Sequence, residues 1–169
     1  SGRAEVTSAF KNGRIGGIVE MRDQVVGSAL RRVNEMAFVM AKEVNKIHRQ
    51  GYDLRGGTGN DFFEQPNRIQ DGAELMSLSK AVKEDSSNIA TAFAPDSPGD
   101  NRVAQAIAKL QHQRLMAGGT ATFDDHYNGT VAELATVAQK NKSSLEHQNH
   151  VVGQLEKFRE SISGVSLDE

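Results

Sequence analysis

The sequence contains no cysteine and no tryptophan. The first absence excludes disulfides, thiol catalysis, iron–sulfur clusters and cysteine-held zinc. Aromatic residues make up only 5% of the chain and there are three prolines. Ala, Val, Leu and Ile must therefore carry the core, which favours interlocked helices over an aromatic-lined pocket. Neither charge sign dominates, since 20 Lys+Arg face 22 Asp+Glu for a net charge of -2. That balance argues against a broad nucleic-acid or anionic-membrane surface. No apolar run approaches the roughly 18 residues needed to cross a bilayer, and the start lacks the apolar stretch of a signal peptide. What remains is a chain of 169 residues, a length that suits one domain.

Helical periodicity dominates what is present. Val26, Leu30, Val33, Ala37, Met40, Val44 and Ile47 recur at alternating spacings of four and three, the seam of a heptad helix. This predicts a helix over about 18–50, ended by Gly51. Residues 51–99 are rich in turn residues and read as a loop excursion, with 61–64 and 75–79 as a short strand pair. A second helix is expected over about 100–116, opened by Asp100 and closed by Gly118-Gly119. A third is expected over 123–163, with a stripe of Tyr127, Val131, Leu134, Ala138, Asn141, Leu145, Gln148, Val152, Leu155 and Ile162. Forty helical residues span about 60 Å, whereas a compact chain of this size is roughly 40 Å across. The expected fold is therefore mainly α: one rod-like domain over 1–169, an elongated antiparallel bundle of long helices with a small β-hairpin excursion.

Few residues invite chemistry. His147 and His150 share a helix face at metal-ligand spacing, but a third ligand is not adjacent, and solvated histidines are the plainer reading. Asp124, Asp125 and His126 stand at a helix start, where carboxylates cap free N–H groups. The glycine-rich run Arg55 to Asp61 lacks the Lys-Ser/Thr of a phosphate loop and the alternating acids of a calcium loop. Asn128-Gly129-Thr130 matches a glycosylation triplet on a helix. These residues support no catalytic, cofactor or metal site. The stripes serve either as internal core or as a seam left open for partner chains.

Three stretches, in order, resemble the bacterial flagellar hook-associated protein 1 family, the hook–filament junction proteins. In the first, Gly13, Ile15, Gly16, Gly17, Arg22 and Asp23 fall in a G-(K/R)-(I/L)-G-G-L-L-(E/D)-F-R-D segment, with Met21 in place of Phe. A G-x-D-L-x-G…G-x-x-F-F loop follows, ending on Phe62 and Phe63. The second is a return segment over 78–90 that leads into Gly99-Asp100-Asn101, with Ser86 in place of a common Pro. The third, Ser161 to Glu169, is similar to an S-V-S-G-V-(N/S)-L-D-E-E run, in which Gly164 and Leu167 match.

The resemblance implies a structural, non-enzymatic role: joining hook to filament by side-by-side packing of identical subunits. It implies neighbours in the hook protein and a second junction protein, and a secretion chaperone acting through a C-terminal region outside this sequence. It also implies an extracellular, flagellar location reached without a cleavable signal peptide. The chain reads as a core fragment without the family's terminal helices, hence monomeric. It also reads as lacking the β-rich domain that family members insert between the F-F loop and the return segment. The alternatives are a flagellin-like axial protein, or a coiled-coil adaptor or signalling bundle.

Overall fold

The computed structural model describes residues 13–164, with side chains from Gly16 onward. The chain is mainly helical. It divides into two compact units that meet in sequence between Thr130 and Val131, partway along the last helix.

In the first unit, α1 (Gly13–Glu20) runs into a π-helical segment, Met21–Val26, and then into α2 (Gly27–His48). The helical run thus begins five residues earlier than the periodicity predicts, and its register shifts before Gly27. A π segment widens the turn and displaces the side chains after it. After His48, Gln50 N–H donates to the Ile47 carbonyl and Gly51 N–H to that of His48. Gly51 is required for space, since a Cβ there would lie 2.8 Å from Val103 Cγ2 and 2.9 Å from Ala90 Cβ.

The excursion contains a 3-10 turn at Ile69–Asp71, the short α3 (Lys80–Glu84) and a second 3-10 turn at Ser86–Asn88. The expected strand pair reduces to a single antiparallel bridge, Phe63 to Leu78. Ser79 ends that contact by capping α3, its hydroxyl accepting from Val82 N–H. A chain that must cap a helix one residue after the bridge cannot extend the ladder.

α4 (Arg102–Lys109) continues as a 3-10 turn, Leu110–His112, and stops four residues short of the expected end at 116. The chain leaves the helix so that Met116 can bury completely, paired with Ala121 through a bridge. Ala117, Gly118 and Gly119 turn the backbone with positive φ. α5 (Phe123–Ser163) begins on a reciprocal cap. Asp125 N–H donates to Thr122 Oγ1, while Asp125 Oδ2 accepts from Thr122 N–H and hydroxyl. Inside the first unit His126, near the start of α5, lies 3.8 Å from Glu35 of α2.

The buried apolar side chains of the first unit are mostly small: Ala41, Val44, Val82, Ala90, Ala92, Val103, Leu110, Met116 and Phe123. Phe123 is the one aromatic among them, in line with the scarcity of aromatics in the sequence. In the second unit α5 presents an exposed surface along its length.

Candidate functional site: a polar seam and an open apolar stripe on the long helix

α2 buries one line of residues, Asn34, Ala41, Val44, Asn45 and His48. Three of the five are polar, and each holds backbone of the excursion. Asn34 donates from Nδ2 to the Gln70 carbonyl and accepts at Oδ1 from Ala73 N–H. Asn45 Oδ1 accepts from both Phe62 and Phe63 N–H, at 2.9 and 2.8 Å, and Nδ2 donates to the Phe63 carbonyl. His48 Nε2 accepts from Ala90 N–H at 2.8 Å, and Nδ1 lies 2.8 Å from the Asn60 carbonyl. An amide only donates and a carbonyl only accepts, so the ring must be neutral with its proton on Nδ1. These side chains give loop backbone the partners that it would otherwise find in a sheet.

The surrounding turns are braced by carboxylates. Asp53 Oδ1 accepts from Arg55 and Gly57 N–H, closing the turn after Tyr52. Arg49 pairs with Asp61 through two bonds and Arg55 pairs with Asp85. Hydrogen bonds from Ser87, and then Arg55, lower the Asp85 carboxyl to about 2. Asp100 accepts from Phe93 N–H, Arg102 N–H and the Arg102 guanidinium, which together hold it well below the usual carboxylate range.

The apolar stripe expected on α2 lies one residue off this buried line. Val44 is buried and Ala37, Met40 and Ile47 are half-buried, whereas Val26, Leu30 and Val33 stand about half exposed. On α5, Val131, Leu134, Ala138, Leu145, Val152 and Leu155 are all exposed, Leu155 at 61%. Val26, Leu30 and Val33 on the first unit, and the α5 stripe on the second, are therefore exposed apolar surface on each unit taken alone.

The motif residues fall in three settings. Gly13, Ile15, Gly16 and Gly17 lie in α1, and Arg22 and Asp23 form an exposed ion pair on the π segment. Phe62 and Phe63 stack edge to face at 4.8 Å, with Phe62 also edge-on to His48. Asp100 and Asn101 open α4, where Asn101 Oδ1 accepts from Gln105. Gly164 follows α5 with φ of 65°, and Leu167 lies outside the described residues.

The chemical candidates separate. His147 and His150 are exposed, with Gln154 bonded to His150. Among the described residues no three metal-binding side chains converge. Asp125 serves the α5 cap, and Thr122 lowers its carboxyl. Thr130 of the glycosylation triplet is buried, its hydroxyl donating to the His126 carbonyl. No described helix is long and apolar enough to cross a membrane. Sequence reasoning missed Asn34, Asn45 and His48. Their signal was a polar residue recurring directly after the stripe positions Val33, Val44 and Ile47.

Residues 1–63 match the flagellar hook-associated protein FlgK helical domain. Flagellar hook-associated protein 1 of Salmonella typhimurium is 31% identical, aligned with 82% of this chain and 26% of its own. The protein of that name from Bacillus subtilis is 26% identical over 83% of this chain and 29% of its own. That of Escherichia coli is 24% identical and aligns with 100% of this chain and 46% of its own. The chain belongs to the flagellar hook-associated protein 1 family. It spans less than half the length of these hook-associated relatives. The Escherichia coli alignment covers 250 positions against 169 residues here, so at least 81 positions of that relative have no counterpart. In this chain Asn45 of the polar seam holds the loop of Phe62 and Phe63 to α2.

Proposed function

We propose that this chain is the helical part of a structural subunit that joins the flagellar hook to the filament, without enzymatic activity. Its work is geometric. Long helices lie side by side as an elongated antiparallel bundle, and copies of it pack around a common axis between two different tubes. The observation that carries this reading is the joining of a hook-associated sequence to long helices with exposed apolar stripes. Val26, Leu30 and Val33 on α2, and Leu145, Val152 and Leu155 on α5, offer the contact surface that a packed assembly consumes. Exposed apolar side chains aligned along a helix suit an interaction face.

The neighbours in this reading are identical subunits, the hook protein and a second junction protein, with a secretion chaperone before export. The subunit is exported through the flagellum itself and works outside the cell. The chain alone is a monomer. The exposed stripes would equally suit a coiled-coil adaptor, which predicts a stable dimer at micromolar concentration by light scattering.

Deletion of the gene in the source bacterium tests the reading. Hooks without filaments, with filament protein shed into the medium and rescue by the intact gene, are the expected result. Normal filaments in the deletion strain would overturn it.

A further inference from the structure

We propose that residues 65–76 form a strap that lifts from α2 as a unit, hinged at the Glu64–Ser77 neck and latched at Asn34. The neck is well tied. Glu64 N–H donates to the Ser77 carbonyl, Ser79 N–H to that of Phe62, and Lys80 N–H to the Glu64 carboxylate. The Asn45 amide clamps the two phenylalanine amides directly behind it.

The strap beyond the neck is held differently. Its turn is closed by its own bonds: Gly72 N–H to the Ile69 carbonyl, Leu75 N–H to that of Asp71, and the Arg68–Asp71 ion pair. It can therefore move without losing its internal structure. Asn34 ties it to α2, receiving Ala73 N–H and donating to the Gln70 carbonyl. Ile69 and Leu75 are exposed, while Pro66 and Gly72 are buried and Ala73 and Met76 half-buried.

Two features sharpen the latch. Gly72 sits so close that a Cβ there would be 2.2 Å from the Asn34 carbonyl oxygen. At the hinge, Gln65 Nε2 is buried without a hydrogen-bond partner, a cost that lifting relieves by hydration. The lifted strap uncovers the Asn34 amide beside Leu30 and Val33, where the apolar stripe of α2 is already open. The strap thus acts as a shutter on one edge of that helix face.

Amide hydrogen exchange on the whole chain tests this. In Asn34→Ala the Ala73 amide is expected to exchange about tenfold faster or more, while Phe63 and Glu64 change by less than about twofold. Gly72→Ala leaves Asn34 intact, and trypsin should then cut at Arg68 faster than in the parent chain, with the same neck protection. Equal acceleration of the Ala73, Phe63 and Glu64 amides would make strap and neck one unit and overturn the proposal. So would an unchanged Ala73 rate together with an unchanged Arg68 cleavage rate.

Discussion

Asn45 closes a ring with Phe63: its Nδ2 donates to the Phe63 carbonyl and its Oδ1 accepts from the Phe63 amide, both at 2.8 Å. A side-chain amide so placed does for one residue what a neighbouring strand does in a sheet, and it fixes the loop to a single register on the helix.

Replacing Asn45 by Ala removes that ring and the bond from Phe62 N–H. Two amides and a carbonyl lose their partner in a part-buried place, which costs about 2–4 kcal/mol. Urea denaturation followed by circular dichroism measures the loss. Leu54→Ala, at an exposed loop position, should stay within about 0.5 kcal/mol of the parent.

His48 offers a second probe of the seam. His48→Ala strands Ala90 N–H and the Asn60 carbonyl, and leaves a cavity beside Phe62. The expected loss is about 2–4 kcal/mol. The Ala90 amide should also exchange with solvent faster than in the parent.

Two glycines, Gly17 within α1 and Gly51 just after α2, behave oppositely. Gly51→Ala drives a methyl into Val103 and Ala90, at a cost of about 1–3 kcal/mol. Gly17→Ala meets nothing within 4 Å in α1 and should be neutral or stabilising by up to about 1 kcal/mol. Thermal melts of the two variants, run side by side, separate crowding from backbone freedom.

Acid should loosen the excursion. The Asp85 carboxyl is held at about 2 by Ser87 and Arg55, and that of Asp100 is lowered by Arg102 and Phe93 N–H. Both folded-state values lie below the unfolded one of 3.8. The stability they contribute is therefore present above that pH and fades as pH falls toward the folded values. Asp100→Asn should flatten the fall in melting temperature between about pH 4 and pH 2; an unchanged slope would contradict this.

The helices were legible because the heptad stripe and the acids Asp124 and Asp125 at the start of α5 are local signals. The buried face of α2 was not. Periodicity marked Val33, Val44 and Ile47, yet the excursion lies over Asn34, Asn45 and His48, one residue further round. What selects that face is the hydrogen-bond demand of loop backbone far along the sequence, and hydropathy carries no record of it. The end of α4 was hidden for a similar reason, since the burial of Met116 rather than a breaker residue draws the chain out of the helix. The motif positions Phe62 and Phe63 were found by resemblance, and only their coordinates reveal that Asn45 holds them.

The central claim is a place in the flagellum. Gold-labelled antibody against this chain, imaged on isolated flagella by electron microscopy, tests it most directly. A single narrow band of label at the hook–filament boundary is the predicted result; label spread along the filament, or absent from intact flagella, would contradict it.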